Sequence, residues 1–132
     1  MRVIRVMEKK IITSQSAPAP IGPYNQAVLV HGTLYISGQI CLDPQTGNLK
    51  NRDIQDETHQ VMQNLKAILA EAGMTFSNVV KTTIFITNMN QFSEINEIYG
   101  KYFSGDFPAR ETVQVAALPR LVNIEISMIA AQ

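Results

Sequence analysis

Residues 53–87 read DIQDETHQVMQNLKAILAEAGMTFSNVVKTTIFIT, and within this stretch the hydrophobic period changes once. The first part is helical. Ile54, Thr58, Val61, Met62, Leu65, Ile68, Leu69 and Ala72 fall on one stripe. Asp53 is a natural N-cap, Asp56 and Glu57 put negative charge in the first turn, and Gly73 is well placed to end the helix. His59 lies off the stripe and is expected to face solvent. From Val79 to Thr87 the residues are Val, Thr, Ile and Phe, which predicts a strand. Its centre, Thr83-Ile84-Phe85-Ile86, predicts burial on at least one face.

Upstream, Ala27–Val30 and Leu34–Ser37 predict a hairpin with His31-Gly32 as its turn, glycine taking the unusual backbone angles. Asp43–Asn48 carries strong turn chemistry. Residues 13–25 are rich in Ser, Ala, Pro and Gly and predict a stiff, extended loop ending at Tyr24. Downstream, a second helix is expected over 91–103, capped by Asn88 or Asn90, with Phe92, Ile95, Tyr99, Tyr102 and Phe103 on its apolar side. Residues 110–117 alternate, with Arg110, Thr112 and Gln114 on one face and Val113, Val115 and Ala117 on the other. A last strand over 122–131 puts Ile124, Ile126, Met128 and Ala130 on one face and Glu125 and Ser127 on the opposite one. The predicted order is β-β-α-β-α-β-β, a two-layer α+β arrangement with two helices on one face of a mixed sheet. The other face must meet something, and a second subunit is the economical partner.

The chain has 132 residues, which fits one domain. Charged residues make up 17%, below the usual share of about 25%. A charge-poor surface hints at subunit contacts. Basic and acidic residues balance at 11 each, and no basic stripe is visible, so nucleic acid is not the expected partner. No apolar run approaches the roughly 20 residues of a membrane span, so the chain is expected in the cytoplasm, away from membranes. Residues 1–7 are expected as an extended or disordered segment ahead of a single domain over 8–132, and Met7 also reads as a start. Cys41 is the one cysteine, so no internal disulfide forms. It reads either as a nucleophile, which would need a base from His31 or His59, or as a small residue packed at a strand end.

One pair of opposite charges stands out on two strands otherwise rich in Val, Ile and Ala. Arg110 opens one strand and Glu125 sits in the next. If those strands pair, both side chains reach one pocket. An arginine fork suits a carboxylate, and a glutamate beside it can hold or activate a water. A structural salt bridge between the strands explains the same two residues.

Ile21-Gly22-Pro23-Tyr24, Ser37-Gly38-Gln39-Ile40, Val80-Lys81-Thr82-Thr83-Ile84-Phe85 and Pro108-Ala109-Arg110 resemble the YjgF/RidA family. So does Val113-Gln114-Val115-Ala116-Ala117-Leu118-Pro119 followed by Ile124-Glu125-Ile126, and the match is collinear over about residues 8–131. The resemblance implies a chorismate-mutase-like α+β fold and a homotrimer, with sheets at its centre, helices outside and sites in the clefts between subunits. It implies hydrolysis of 2-imino acids, chiefly 2-iminobutanoate and 2-iminopropanoate, to 2-keto acids and ammonia, with no metal or cofactor. By the same resemblance Arg110 binds the substrate carboxylate, Glu125 activates water, and Tyr24 closes the cleft from a neighbouring subunit. Ser37 and Gly38 line the floor, Asn96 stands close to the site, and backbone groups around Thr112 contact the imine end.

The chain departs from the family at Thr112, where many members carry cysteine, which puts the substrate preference in question. Ser127 replaces a frequent acidic residue and Cys41 a frequent proline. A second function fits the same Arg110: a regulatory module that binds a small carboxylate or keto acid without turnover.

Overall fold

The computed structural model describes residues 7–132. Residues 1–6, most of the segment expected ahead of the domain, lie outside the described residues. Six strands form one sheet: β1 (Lys10–Ile12), β2 (Ala27–Val30), β3 (Thr33–Gln39), β4 (Val79–Ile86), β5 (Ala109–Gln114) and β6 (Ile124–Ala131). Two helices, α1 (Ile54–Glu71) and α2 (Phe92–Gly100), complete the α+β fold. The sheet runs β1-β2-β3-β6-β4-β5, and only β4 and β5 are parallel. A parallel pair needs a crossover, and α2 supplies it.

α1 forms where its stripe predicts. The Asp53 side chain accepts a hydrogen bond from the Asp56 amide at 2.7 Å and caps the first turn. Val61, Met62, Leu65, Ile68 and Leu69 are fully buried against the sheet, each contributing roughly 1.5–3 kcal/mol by leaving water. They meet Leu34, Ile84, Ile86, Ile124, Ile126 and Ala130 in a single apolar cluster. The β2–β3 hairpin turns at His31 and Gly32, both with positive φ (49° and 77°), the geometry whose twist suits adjoining strands.

Four expectations are corrected. Lys10–Ile12 forms an edge strand on β2 that the alternation of residues did not predict. The second helix is shorter than 91–103: a 3-10 turn over Met89–Gln91, capped by the Asn88 side chain, leads into α2. β5 stops at Gln114: the Val115 amide still donates to the Ile86 carbonyl at 2.8 Å, and the chain then leads into the turn at Pro119–Leu121. The strands of Arg110 and Glu125 do not pair, since β4 lies between β5 and β6.

Glu57, expected only as first-turn charge, is fully buried. Its carboxylate accepts hydrogen bonds from the Asn123 amide (2.7 Å), the Ile124 amide (2.9 Å) and the Asn123 side chain (2.8 Å). Those three N–H groups, with the positive end of α1 behind them, replace the water the carboxylate has lost. The contact ties α1 to the start of β6 across 66 residues of sequence. His59 is exposed as expected, with its Nδ1 2.8 Å from the Tyr102 hydroxyl.

The helices cover one face of the sheet. The uncovered face carries Tyr35, Phe85, Val113 and Ile129 among polar neighbours, with Tyr35 49% and Val113 43% exposed. No helix among the described residues is long and apolar enough to cross a membrane.

Replacing Glu57 by alanine strips three donors, one buried and two part-buried, of their acceptor. Urea unfolding of Glu57→Ala is expected to show a loss of about 3–5 kcal/mol. A loss below about 1 kcal/mol would mean that the tether contributes nothing.

Candidate functional site

Sheet pleating decides where the charged residues stand. Arg110 is in register with Thr82, a fully buried residue on the helix face whose hydroxyl accepts from Tyr99 of α2 at 3.0 Å. Arg110 therefore rises beside α2. Its guanidinium carbon lies 5.1 Å from the centre of the Tyr99 ring and 5.6 Å from that of Phe92. Two aromatic faces stabilise a cation without neutralising it. Among the described residues no carboxylate lies within ion-pair distance of Arg110. The nearest acid in sequence, Glu111, points to the other face, where its carboxylate accepts from Thr83 (2.9 Å) and pairs with Lys81 (3.2 Å). Those two contacts hold the Glu111 carboxyl below its usual range. Asn96, Tyr99, Gly100, Phe107 and Pro108 complete a pocket of about 320 Å³ around Arg110.

Glu125 stands on the uncovered face, in register with Phe85. The interstrand salt bridge that would explain Arg110 and Glu125 structurally is absent, because the two residues occupy opposite faces with β4 between their strands. The Glu125 side chain lies over an irregularity in β3, where the register against β6 shifts between Ile36 and Gln39. A Cβ on Gly38 would come within 2.8 Å of the Glu125 Cδ and 2.9 Å of its Oε1, so only glycine lets the carboxylate lie there. Partial burial pushes the Glu125 carboxyl above its ordinary value. A carboxylate that gives up its proton less readily also takes one more readily, which suits a base.

Tyr24 and Ser37 belong to the Glu125 side. Tyr24 lines a small hollow with Gly38, Gln39 and Ile21, and its ring packs 3.4 Å from where a Cβ of Gly22 would stand. The Ser37 hydroxyl donates to the Asn25 carbonyl at 2.6 Å. The loop that brings Tyr24 here is fastened by Gln26, a buried side chain whose amide donates to the carbonyls of Ser14 (3.1 Å) and Pro18 (2.9 Å) and accepts from the Ser14 amide (2.6 Å). Composition alone showed a stiff loop but not this clamp. The signal for it is a glutamine directly ahead of an apolar strand, and nothing local marks its partners.

Thr112 shares the helix face with Arg110, in register with Ile84. Its Oγ1 is buried and has no hydrogen-bond partner among the described residues. Cys41 is fully buried, and burial together with the nearby Glu57 charge pushes its thiol up to about 11. It stays protonated at neutral pH, so the packing explanation holds and the nucleophile does not.

The candidate residues thus fall into two groups on opposite sides of the sheet. One is cationic: Arg110 and Asn96 on the helix face at the β5 edge. The other is acidic and hydroxylic: Tyr24, Ser37, Gly38 and Glu125 on the uncovered side.

The comparisons with known proteins are consistent across sequence and structure. The family model Endoribonuclease L-PSP matches residues 14–132. The chain is 52% identical over 124 residues to the mouse 2-iminobutanoate/2-iminopropanoate deaminase, covering 94% of this chain and 92% of the mouse protein. A Rid protein from Yersinia pestis superposes with a TM-score of 0.92 at 50% identity, covering 95% of this chain and all of that one. Escherichia coli TdcF, solved with bound serine, superposes with a TM-score of 0.90 at 43% identity, over 93% of this chain and 98% of its own. The chain belongs to the YjgF/Rid family, the family described by the Endoribonuclease L-PSP model.

Proposed function

We propose that this protein hydrolyses reactive 2-imino acids, 2-iminobutanoate and 2-iminopropanoate, to 2-keto acids and ammonia, at sites built between the subunits of a cytoplasmic homotrimer of one-domain chains (residues 8–132). The observation that carries the proposal is Arg110: a cation seated on two aromatic rings, at a pocket, with its neighbouring acid committed elsewhere. An arginine left uncommitted in this way is matched to a carboxylate that arrives from outside. The substrate class agrees with the activity named for the mouse relative at 52% identity.

In the proposed reaction Arg110 holds the substrate carboxylate with two parallel hydrogen bonds. The imine carbon then faces Glu125 and Tyr24 of an adjoining subunit. Glu125 takes a proton from water as its oxygen attacks the imine carbon, and returns that proton to the imine nitrogen. The resulting carbinolamine passes its hydroxyl proton to its amino nitrogen and loses ammonia, leaving the 2-keto acid. Water supplies the new carbonyl oxygen, and atoms and charge balance. The apolar, half-exposed face around Tyr35 and Val113 supports a subunit contact there, since such a face is costly in water.

The bound serine in TdcF favours a second reading, in which the same Arg110 captures a small amino or keto acid without turnover. One set of variants separates the two. With threonine dehydratase supplying the imine, the wild type is expected to speed imine loss over buffer. Arg110→Ala is expected to lose about a thousandfold, the equivalent of roughly 4 kcal/mol for a bidentate charged contact. Glu125→Gln is expected to abolish turnover while carboxylate binding persists. Turnover absent in the wild type, with carboxylate binding intact, favours the sensor; full activity in Arg110→Ala rejects both.

The raised Glu125 carboxyl sets the direction of the pH dependence. A base works when ionised, so kcat/KM should rise with pH through the folded-state value. The acid limb is expected above the ordinary glutamate value of about 4.3. A stopped-flow pH profile on separately generated imine checks this, and a limb at or below the ordinary value would contradict it.

A further inference from the structure

A cleft of about 600 Å³ opens on the helix side of the molecule, between α1, the short turn after it and the loop after α2. It shares no lining residue with the Arg110 pocket. Lys66 reaches it from α1 and Lys101 from the end of α2. Among the described residues Lys66 has no carboxylate within ion-pair distance, and Lys101 meets Glu97 only at 3.9 Å. One carboxylate, Asp106, lines the cleft against these two cations, so the balance is positive. Thr75 and Ser77 add hydroxyls at the rim, bonded to each other at 2.6 Å, which leaves one of their two hydroxyl protons for another acceptor.

The wall of the cleft is aromatic. Tyr102 packs edge-on against Phe76 at 5.5 Å, and Phe76 against Phe103 at 5.4 Å. The Tyr102 hydroxyl is held by His59 at 2.8 Å and by the Gln63 amide at 3.1 Å. The rings are therefore fixed before any ligand arrives, which lowers the ordering cost of binding. Cations and hydroxyls at the rim with fixed rings on the wall suit a ligand that is anionic at one end and flat and apolar at the other.

We propose that this cleft is a second ligand site, for an organic anion whose phosphate or carboxylate lies between Lys66 and Lys101 and whose planar ring rests on Phe76, Tyr102 and Phe103. The site is independent of imine hydrolysis and stands whether or not the chain is an enzyme.

Amide NMR titrations of the full-length protein test it, with phenyl phosphate and benzoate as probes and inorganic phosphate as the ringless control. Saturable shifts at residues 75–77 and 101–106 are expected for at least one aryl anion, with a dissociation constant of about 1 mM or tighter. Which aryl anion binds more tightly identifies the head group. Inorganic phosphate should bind more weakly than the preferred probe. The Lys66→Ala/Lys101→Ala double variant should weaken binding at least about tenfold, and Arg110→Ala should leave these shifts unchanged. Shifts that vanish in Arg110→Ala, binding unaffected in the double lysine variant, or no saturation by either aryl anion would overturn the proposal.

Discussion

Alternate residues of a β-strand point to opposite faces, and here only one face of the sheet is covered by helices. Arg110 goes to the helix side with Thr82, and Glu125 goes to the open side with Phe85. No rotamer brings the two side chains together through β4. Within one chain, the cation that would hold a carboxylate and the base that would activate water are therefore separated by the sheet itself. Chemistry that used both would require two copies of the chain, and the open face, where Tyr35 and Val113 stand half-exposed among polar neighbours, is the surface no helix covers.

The Glu125 side is held by buried polar contacts, and the Arg110 side by aromatic rings. Glu57 grips the two amides that open β6, and Glu125 is the next residue along. The Gly38 backbone leaves the space in which the Glu125 carboxylate lies. Gln26 clamps the loop that carries Tyr24. On the other side, Arg110 is positioned by rings of α2 while Lys81 and Thr83 draw Glu111 away. Buried polar groups are costly when unpaired, so such contacts tolerate one geometry and exclude its neighbours. Thr112 is the exception, a buried hydroxyl with no partner among the described residues.

Local periodicity carried much of the fold. The α1 stripe, its Asp53 cap and the His31-Gly32 turn are all interactions between near neighbours in sequence, and they appear where the residues predict them. The insertion of β4 between β5 and β6 is a choice among pairings of similar strands, which no local pattern encodes. That is why Arg110 and Glu125 looked like strand neighbours. β1 was invisible because Lys10-Ile11-Ile12 is too short to display an alternation. Glu57 looked like an ordinary first-turn acid because its partners lie 66 and 67 residues away. Phe92 and Tyr99 were legible as the apolar side of a helix, but not as the seat of an arginine. The candidate roles rest on motif resemblance, since spacing alone favours a salt bridge between the two residues.

The divided site makes one measurement especially direct. Arg110→Ala and Glu125→Gln chains, each inactive alone, are unfolded together, refolded as a mixture and assayed for imine hydrolysis. If Arg110 of one subunit works with Glu125 of the next, random pairing rebuilds about one intact site in four, and the mixture recovers about a quarter of wild-type activity. A mixture as inactive as its two components, with mixed oligomers present, would contradict a site shared between subunits.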